Sequence, residues 1–270
     1  MKSEFRLRPI PWRDHAPTST DYKDIPVDPD DPRGQEPLVD LADYGIAGYG
    51  YYARKDGLNA PYRRAFPSAD ARNQSRRSVA ERLAEIDARL KETGIELFVL
   101  NGFRPLALQR ELWSFFLERA GELLDDPSDE DRAAFAVEYC SDPRCYDPTD
   151  SRTWPTHVTG GAVDLTLRAS RSGEFLFMGG IFDDPDPISH TAYFEKRLLE
   201  KNGEERALSL SQREALRNRR LLYWAMTEGG FASYAFEWWH FDLGTQMWIA
   251  NGGGAEDEPA ARRALYGPAY

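Results

Sequence analysis

Cysteine and histidine are scarce in this chain of 270 residues, which contains two of the former and four of the latter. The cysteines, Cys140 and Cys145, form one C-x4-C pair without a second pair, which is weak evidence for a metal site. We interpret both as loop thiols, which a cytoplasmic chain would keep reduced. The four histidines are His15, His157, His190 and His240.

Long apolar runs and an excess of basic residues are missing as well. Residues 1–9 read MKSEFRLRP and lack the apolar region of a signal peptide. No run approaches the ~18 apolar residues of a membrane span. The chain has 34 Lys and Arg against 45 Asp and Glu, a net charge of −11, which disfavours nucleic-acid backbones and anionic membranes as partners. We therefore expect a cytoplasmic protein that binds neither nucleic acid nor membrane.

The chain also lacks internal repeats, coiled-coil heptads, a GxGxxG phosphate loop and a serine nucleophile elbow. Its hydrophobic content of 41% is enough for a sizeable core. Seven prolines fall within residues 1–40, which predicts an irregular N-terminal arm that is wrapped or loosely ordered. Residues 41–250 are predicted to form one domain, and residues 251–270 a flexible, loosely docked tail.

Hydrophobic periodicity predicts three main helices, over residues 76–93, 105–120 and 211–228. Ser75 or Ser78 is expected to cap the first helix, and a capping box between Ser211 and Glu214 to open the third. A shorter helix is expected over residues 133–139. Strands are predicted at residues 95–100, 162–167 and 231–243, the second of them half-buried because its apolar residues alternate.

Two short stretches combine the residue types of a zinc hydrolase. His157 and Asp164 lie seven positions apart, and Glu237 precedes His240 by three. Zinc in a hydrolase usually takes three protein ligands, and a base must also accept the proton of the attacking water. On residue types alone, structural roles for these polar groups stay open. Because strand side chains alternate, Glu237 and His240 can face one site only if the chain bends between them or Glu237 precedes the strand.

Four motifs in order resemble those of one known family. Residues 157–164 fit H-x-x-G-x-A-x-D, and residues 237–240 fit E-x-W-H. Residues 102–105 read G-F-R-P, and residues 178–183 fit M-G-x-x-F-D. Together they resemble the VanX-type D-Ala-D-Ala dipeptidases, zinc peptidases of family M15 related to the D-Ala-D-Ala carboxypeptidases. The similarity extends over roughly residues 44–245.

The resemblance implies a catalytic zinc site. One zinc ion per chain would be held by His157, Asp164 and His240. Glu237 would act as the general base that deprotonates water and then passes the proton to the leaving amine. The expected fold is α+β: a small, mainly antiparallel sheet carrying Asp164 and His240, with helices packed around it and the zinc site in a central cleft.

The resemblance also assigns two charged residues to the substrate. Arg104, which spacing alone would describe as a solvated or salt-bridged residue, would stabilise the oxyanion of the transition state. Asp183 would hold the substrate ammonium. Pro155 stands where many members of the family have serine, so a hydroxyl contact is missing or is replaced by Thr156.

The expected substrate is a small dipeptide, D-alanyl-D-alanine first of all. The alternatives are a D,D-carboxypeptidase of cell-wall peptides, a peptidase for other short peptides, and a zinc-binding protein without turnover. The long segment 121–156 can reshape the pocket. The sequence leaves the oligomeric state open.

Overall fold

The structure is a computed structural model that describes residues 3–12, 16–18, 20–184, 186–254 and 262–269. The strands are β1 Leu38–Asp40, β2 Ala47–Gly48, β3 Gln74–Arg76, β4 Ile95–Asn101, β5 Ala162–Ala169, β6 Ala232–Ser233 and β7 His240–Asp242. The helices are α1 Arg77–Lys91, α2 Leu106–Leu123, α3 Asp129–Val137, α4 Tyr193–Leu199, α5 Leu210–Glu228 and α6 Gln246–Ala250. None of these helices has the length and apolarity needed to cross a membrane.

Five strands form the central sheet in the order β2-β4-β5-β7-β6. The β2–β4 pair is parallel, and the other three pairs are antiparallel. β1 and β3 form a separate antiparallel pair. The predicted α+β fold with a mainly antiparallel sheet is therefore confirmed.

Helix α1 shows how the apolar pattern produces packing. Val79, Leu83, Ile86 and Leu90 lie on one stripe of the helix and are fully buried. The predicted cap by Ser75 or Ser78 is wrong. Arg76 occupies the N-cap position without a side-chain hydrogen bond, because the helix follows β3 directly and the hydroxyl of Ser78 contacts Tyr266 instead.

Helix α5 begins earlier than predicted. Its capping box pairs Ser209 with Gln212, whereas the prediction pairs Ser211 with Glu214. Both pairs fit the Ser-x-x-Glu/Gln pattern, and the first of them lies where the chain enters the helix. Helix α3 is also shifted, because a second box between Ser128 and Asp131 starts it four residues before the predicted 133–139.

Strand β5 is buried on both faces, so the prediction of a half-buried strand is wrong. Val163, Leu165 and Leu167 are inaccessible in the main core. Asp164 and Thr166 alternate with them and are buried too. Their face is covered by the residues of the candidate site and by neighbouring strands rather than by water.

The two ends of the chain pack on this domain. In the N-terminal arm, Phe5, Ile10 and Tyr22 are buried, as expected of a wrapped segment. At the C-terminal end, Tyr266 is 1% exposed, and Arg76 donates a hydrogen bond of 2.9 Å to the carbonyl of Gly267. The prediction of a loosely docked tail is therefore wrong for residues 262–269, which lack a sequence periodicity but gain specific contacts.

Candidate active site

The three predicted metal ligands converge at the middle of the sheet. Strand pairing places Asp164 of β5 opposite His240 of β7. His157 lies in the short 3-10 helix Thr156–Thr159, which the left-handed Gly160 (φ 74°) ends. His157 Nε2 lies 3.2 Å from His240 Nδ1, and the carboxylate of Asp164 lies 3.3 Å and 3.1 Å from these two atoms. Such a group could hold a metal ion.

Hydrogen bonds on the outer side of the cluster fix the imidazoles. His157 Nδ1 lies 2.9 Å from the carbonyl of Gly102, which can only accept, so this nitrogen carries a proton. His240 Nε2 lies 2.8 Å from Asp242 Oδ2. The inner nitrogens, His157 Nε2 and His240 Nδ1, then present lone pairs to each other across the cluster. Such outer partners are typical of metal-binding histidines, and a proton or a metal ion must lie between the two rings.

The charges of the cluster agree with this arrangement. Burial favours a neutral acid, yet the neighbouring His157 and His240 hold the pKa of Asp164 below its usual range, so it is ionised. Burial lowers the pKa of His157. Burial also disfavours a charged His240, but the negative charges of Asp242 and Asp164 outweigh it and raise the pKa of His240 well above its ordinary value. A metal ion would therefore replace a proton on His240, and two imidazoles with one carboxylate form a donor set that suits zinc.

Glu237 faces the same point from a turn. The predicted strand 231–243 is interrupted, because β6 ends at Ser233 and β7 begins at His240. The amide of His240 donates to the carbonyl of Glu237, which bends the chain, and Glu237 Oε2 lies 3.8 Å from His240 Nδ1. Both of the alternative conditions for a shared site are therefore present, because Glu237 precedes β7 and the chain bends between it and His240. The Glu237 side chain is 25% exposed, and burial raises its pKa to about 8.

Arg104 approaches the cluster from the turn between β4 and α2. Its side chain donates to Tyr52 Oη (3.0 Å) and to Gln109 Oε1 (3.1 Å), and lies 3.4 Å from Asp164 Oδ2. The residue is 8% exposed, and its Nε has no hydrogen-bond partner among the described residues. Burial opposes its charge, but Tyr52 and Asp164 raise the pKa of the guanidinium above its ordinary value. Arg104 is thus a buried cation with an unused donor.

Asp183 lies on the other side of the same cavity, in the loop between β5 and α4. Its Oδ2 accepts hydrogen bonds from the hydroxyls of Tyr52 (2.8 Å) and Tyr62 (2.9 Å). Its Oδ1 has no hydrogen-bond partner among the described residues. Burial raises the pKa of Asp183 to about 7. Tyr52 therefore connects Asp183 with Arg104.

All six predicted site residues line one cavity. The sequence prediction did not include Asp242, Gln109 or Asn101, whose side-chain amide donates to Asp164 Oδ2 (3.0 Å). It left Tyr52 and Tyr62 as residues equally explained by aromatic packing. Strand alternation could have found Asp242, because it lies two positions after His240 and so shares its face. Spacing does not place the tyrosines, since Tyr52 and Tyr62 meet Asp183 across 131 and 121 positions. Gln109 meets Arg104 five positions away, but no motif singled it out.

This geometry agrees with comparisons to known proteins. The family model described as D-ala-D-ala dipeptidase, peptidase M15, matches residues 45–252, which are most of the chain. The chain belongs to this family. All six candidate residues lie inside the region that the M15 family model matches.

Individual relatives match shorter stretches. The D-alanyl-D-alanine dipeptidase of Synechocystis is 29% identical over 164 residues, which cover 58% of this chain and 63% of the relative. That of Escherichia coli K12 is 30% identical over 151 residues, or 56% of each chain. That of Streptomyces coelicolor is 42% identical over 87 residues, or 32% of this chain and 36% of the relative. The chain thus spans less than two thirds of the length of each.

Proposed function

We propose that this chain is a zinc-dependent dipeptidase that hydrolyses D-alanyl-D-alanine or a similarly small dipeptide. The observation that carries the proposal is the convergence of the buried set His157, Asp164 and His240, with Glu237 3.8 Å from one imidazole. Membership of the M15 family and the activity for which the three relatives are named support the same reaction. We propose one zinc ion per chain, and a catalytic unit over residues 41–250.

Zinc held by these residues would supply Lewis-acid chemistry, polarising a carbonyl group and lowering the pKa of water. Glu237 is proposed as the general base. A carboxylate whose pKa is raised into the neutral range accepts a proton from water and returns it to the leaving amine efficiently. Its position in a turn, a quarter exposed, lets it reach both water and substrate.

Arg104 is proposed to bind the oxygen that becomes negative in the transition state, and Asp183 is proposed to bind the ammonium of the substrate. The unused Nε donor of Arg104 can turn to the oxygen that gains negative charge when the peptide carbonyl is attacked. The free Oδ1 of Asp183 can accept a hydrogen bond from the substrate ammonium, while Tyr52 and Tyr62 hold its other oxygen. The proposed substrate therefore has a free amino terminus.

A carboxypeptidase of cell-wall peptides is the second candidate. Pro155 lines the cavity without a hydroxyl, and the segment that contains α3 and Cys140 forms another wall. These differences affect substrate choice and leave the proposed chemistry of Glu237 unchanged. Within this proposal, free dipeptides in the cytoplasm are preferred to assembled cell wall.

Zinc content and hydrolysis should be measured together on the purified protein. We expect close to one zinc ion per chain, with D-alanine released from D-Ala-D-Ala faster than from a stem peptide that ends in D-Ala-D-Ala. A chelator should abolish this activity and added zinc should restore it. A protein that binds zinc and cleaves none of these peptides would instead be a non-catalytic binding protein.

A further inference from the structure

The candidate active site opens into a second, larger space. The cavity that contains the six site residues has a volume of about 50 Å³. The adjoining space, here called the outer chamber, has a volume of about 420 Å³. Asp183, Glu237, Glu138 and Tyr139 line both, so the two spaces adjoin each other. The outer chamber falls within the size range of small-molecule sites, roughly 300–1,000 Å³.

The position of Asp183 determines which part of a substrate would enter this space. The following argument rests on the proposed function, in which Asp183 holds the ammonium of the N-terminal residue. Asp183 lies at the boundary between the two spaces. The side chain of the same residue would then extend into the outer chamber. The methyl group of an alanine would leave most of this volume unfilled.

The walls of the outer chamber combine apolar and acidic groups. The rings of Tyr139, Phe236 and Trp239 supply the apolar surface. Glu138, Asp184 and Asp186 supply carboxylates, and no Lys or Arg is found among its described lining residues.

His190 also lines the chamber without contributing a cation. Its burial, with the nearby charges of Lys196 and Arg219, lowers its pKa, so this imidazole is neutral. The described lining of the chamber therefore supplies apolar surface and negative charge but no cation.

The two aspartates of the chamber have weak partners among the described residues. Asp184 Oδ1 accepts a weak hydrogen bond of 3.3 Å from the amide of Asp186, and Asp186 Oδ1 accepts one of 3.2 Å from the amide of Ile188. Within the described ranges, neither of these aspartates forms an ion pair with a basic side chain, and neither does Glu138. Uncompensated carboxylates beside an apolar wall favour a long aliphatic chain that ends in a cation.

We propose that the outer chamber is a specificity subsite for the N-terminal residue of the dipeptide, and that it selects a long side chain ending in a cation, such as a lysyl group. The aliphatic stem of that side chain contacts Tyr139, Phe236 and Trp239. The terminal ammonium lies among Glu138, Asp184 and Asp186.

Three dipeptides separate the effect of length from that of charge: D-Ala-D-Ala, D-norleucyl-D-Ala and D-Lys-D-Ala. The norleucyl side chain matches the aliphatic stem of lysine and carries no charge. For the zinc-loaded protein we expect kcat/KM to rise about 10-fold from alanyl to norleucyl, because methylenes leave water. A further rise of about 3- to 10-fold is expected from norleucyl to lysyl, and it should shrink in high salt.

Two carboxylates of the chamber can be neutralised without touching the proposed catalytic residues. In a protein with Asp184→Asn and Asp186→Asn, which line the outer chamber and not the active-site cavity, the preference for lysyl over norleucyl should fall to near 1, while kcat/KM for D-Ala-D-Ala stays unchanged. The matched control is Glu130→Gln, an exposed carboxylate on the same helix as the chamber wall, in α3. This control should keep the full preference for lysine.

Measurements of binding affinity distinguish this subsite proposal from the proposed hydrolytic function. The three dipeptides should be titrated by calorimetry into zinc-loaded Glu237→Gln protein, in which turnover is slowed and Glu138, Asp184 and Asp186 of the chamber are unchanged. The same order of affinity is expected, lysyl before norleucyl before alanyl, whether or not the parent protein proves to be a peptidase. Equal affinity for lysyl and norleucyl, or tighter binding of alanyl, overturns the subsite. Ordered binding without turnover in the parent protein overturns only the hydrolytic function.

Discussion

The proposed metal-binding cluster and the proposed substrate-binding groups of this site are held in different ways. Asp164 and His240 lie on paired strands, and both imidazoles of the cluster have a hydrogen-bond partner on their outer nitrogen. Glu237 and Asp183 lie in turns, Asp183 with a strained φ of 55°. The cluster therefore has its polar atoms occupied before any substrate arrives. The turn-borne groups keep unused acceptors, and Arg104 keeps an unused donor.

This difference indicates separate roles for the cluster and for the groups in the turns. Strand register fixes Asp164 and His240, and the 3-10 helix Thr156–Thr159 positions His157 beside them. Such rigid elements position ligands well. Turns hold fewer neighbours, so their side chains can adjust to a bound peptide. Substitutions in the cluster should therefore affect metal binding, whereas substitutions in the turns should affect turnover or substrate affinity with the metal retained.

The largest effect is expected from His240→Ala. Removing one of three ligands leaves a buried carboxylate and one imidazole, so zinc content and hydrolysis should both fall below detection. Zinc content is measured by mass spectrometry of the purified protein. His190→Ala is the control, because His190 lies outside the cluster, and it should retain zinc. A His240→Ala protein with normal zinc content would contradict the assignment.

Glu237→Gln should separate the two regions most clearly. The amide keeps the shape of the side chain and cannot accept a proton, so kcat should fall by about 10²–10⁴-fold with zinc content unchanged. Single-turnover measurements on the zinc-loaded protein test this. Near-parental turnover by Glu237→Gln would leave the ligands intact and remove Glu237 as the base, with Asp183 as the next candidate.

A smaller effect is expected when Asp242, the outer partner of His240, becomes Asn. Losing the negative charge on this partner should weaken zinc binding by about 10- to 100-fold, while kcat at saturating zinc changes little. Competition with a chelator of known affinity measures the first quantity. Unchanged zinc affinity would show that the hydrogen bond of 2.8 Å between His240 and Asp242 only supports the fold.

The smallest effect concerns the substrate ammonium. Asp183→Asn should raise KM by about 10-fold for free dipeptides, the usual worth of one charge-assisted hydrogen bond, with little change for an N-acetylated analogue. The pKa of Asp183 is about 7, and a bound cation would lower it. In the parent protein KM should rise as the pH falls through this pKa, because the protonated acid no longer attracts the ammonium. In Asp183→Asn this rise should be absent.

Local patterns predicted the main helices, because an apolar stripe such as that of α1 depends on short-range spacing. The sheet class and the residues of the cluster were instead implied by the resemblance of four motifs to the M15 family. Features that depend on distant neighbours were not predictable. Tyr62 meets Asp183 across 121 positions of the sequence, and Arg76 meets Gly267 across 191. The choice between two overlapping capping boxes at α5 likewise depends on how the chain enters the helix.

The two oxygens of Asp242 serve different partners. Oδ2 lies 2.8 Å from His240 Nε2. Oδ1 accepts a hydrogen bond of 2.7 Å from the hydroxyl of Thr245, and this hydroxyl oxygen accepts one from the amide of Trp248 at the start of α6. A helix of five residues is too short to persist by itself and depends on such anchors. Asp242 therefore couples the local unfolding of α6 to the release of a metal ion held by His240. The deuterium uptake of the Trp248 amide should then report zinc occupancy from outside the active-site cavity.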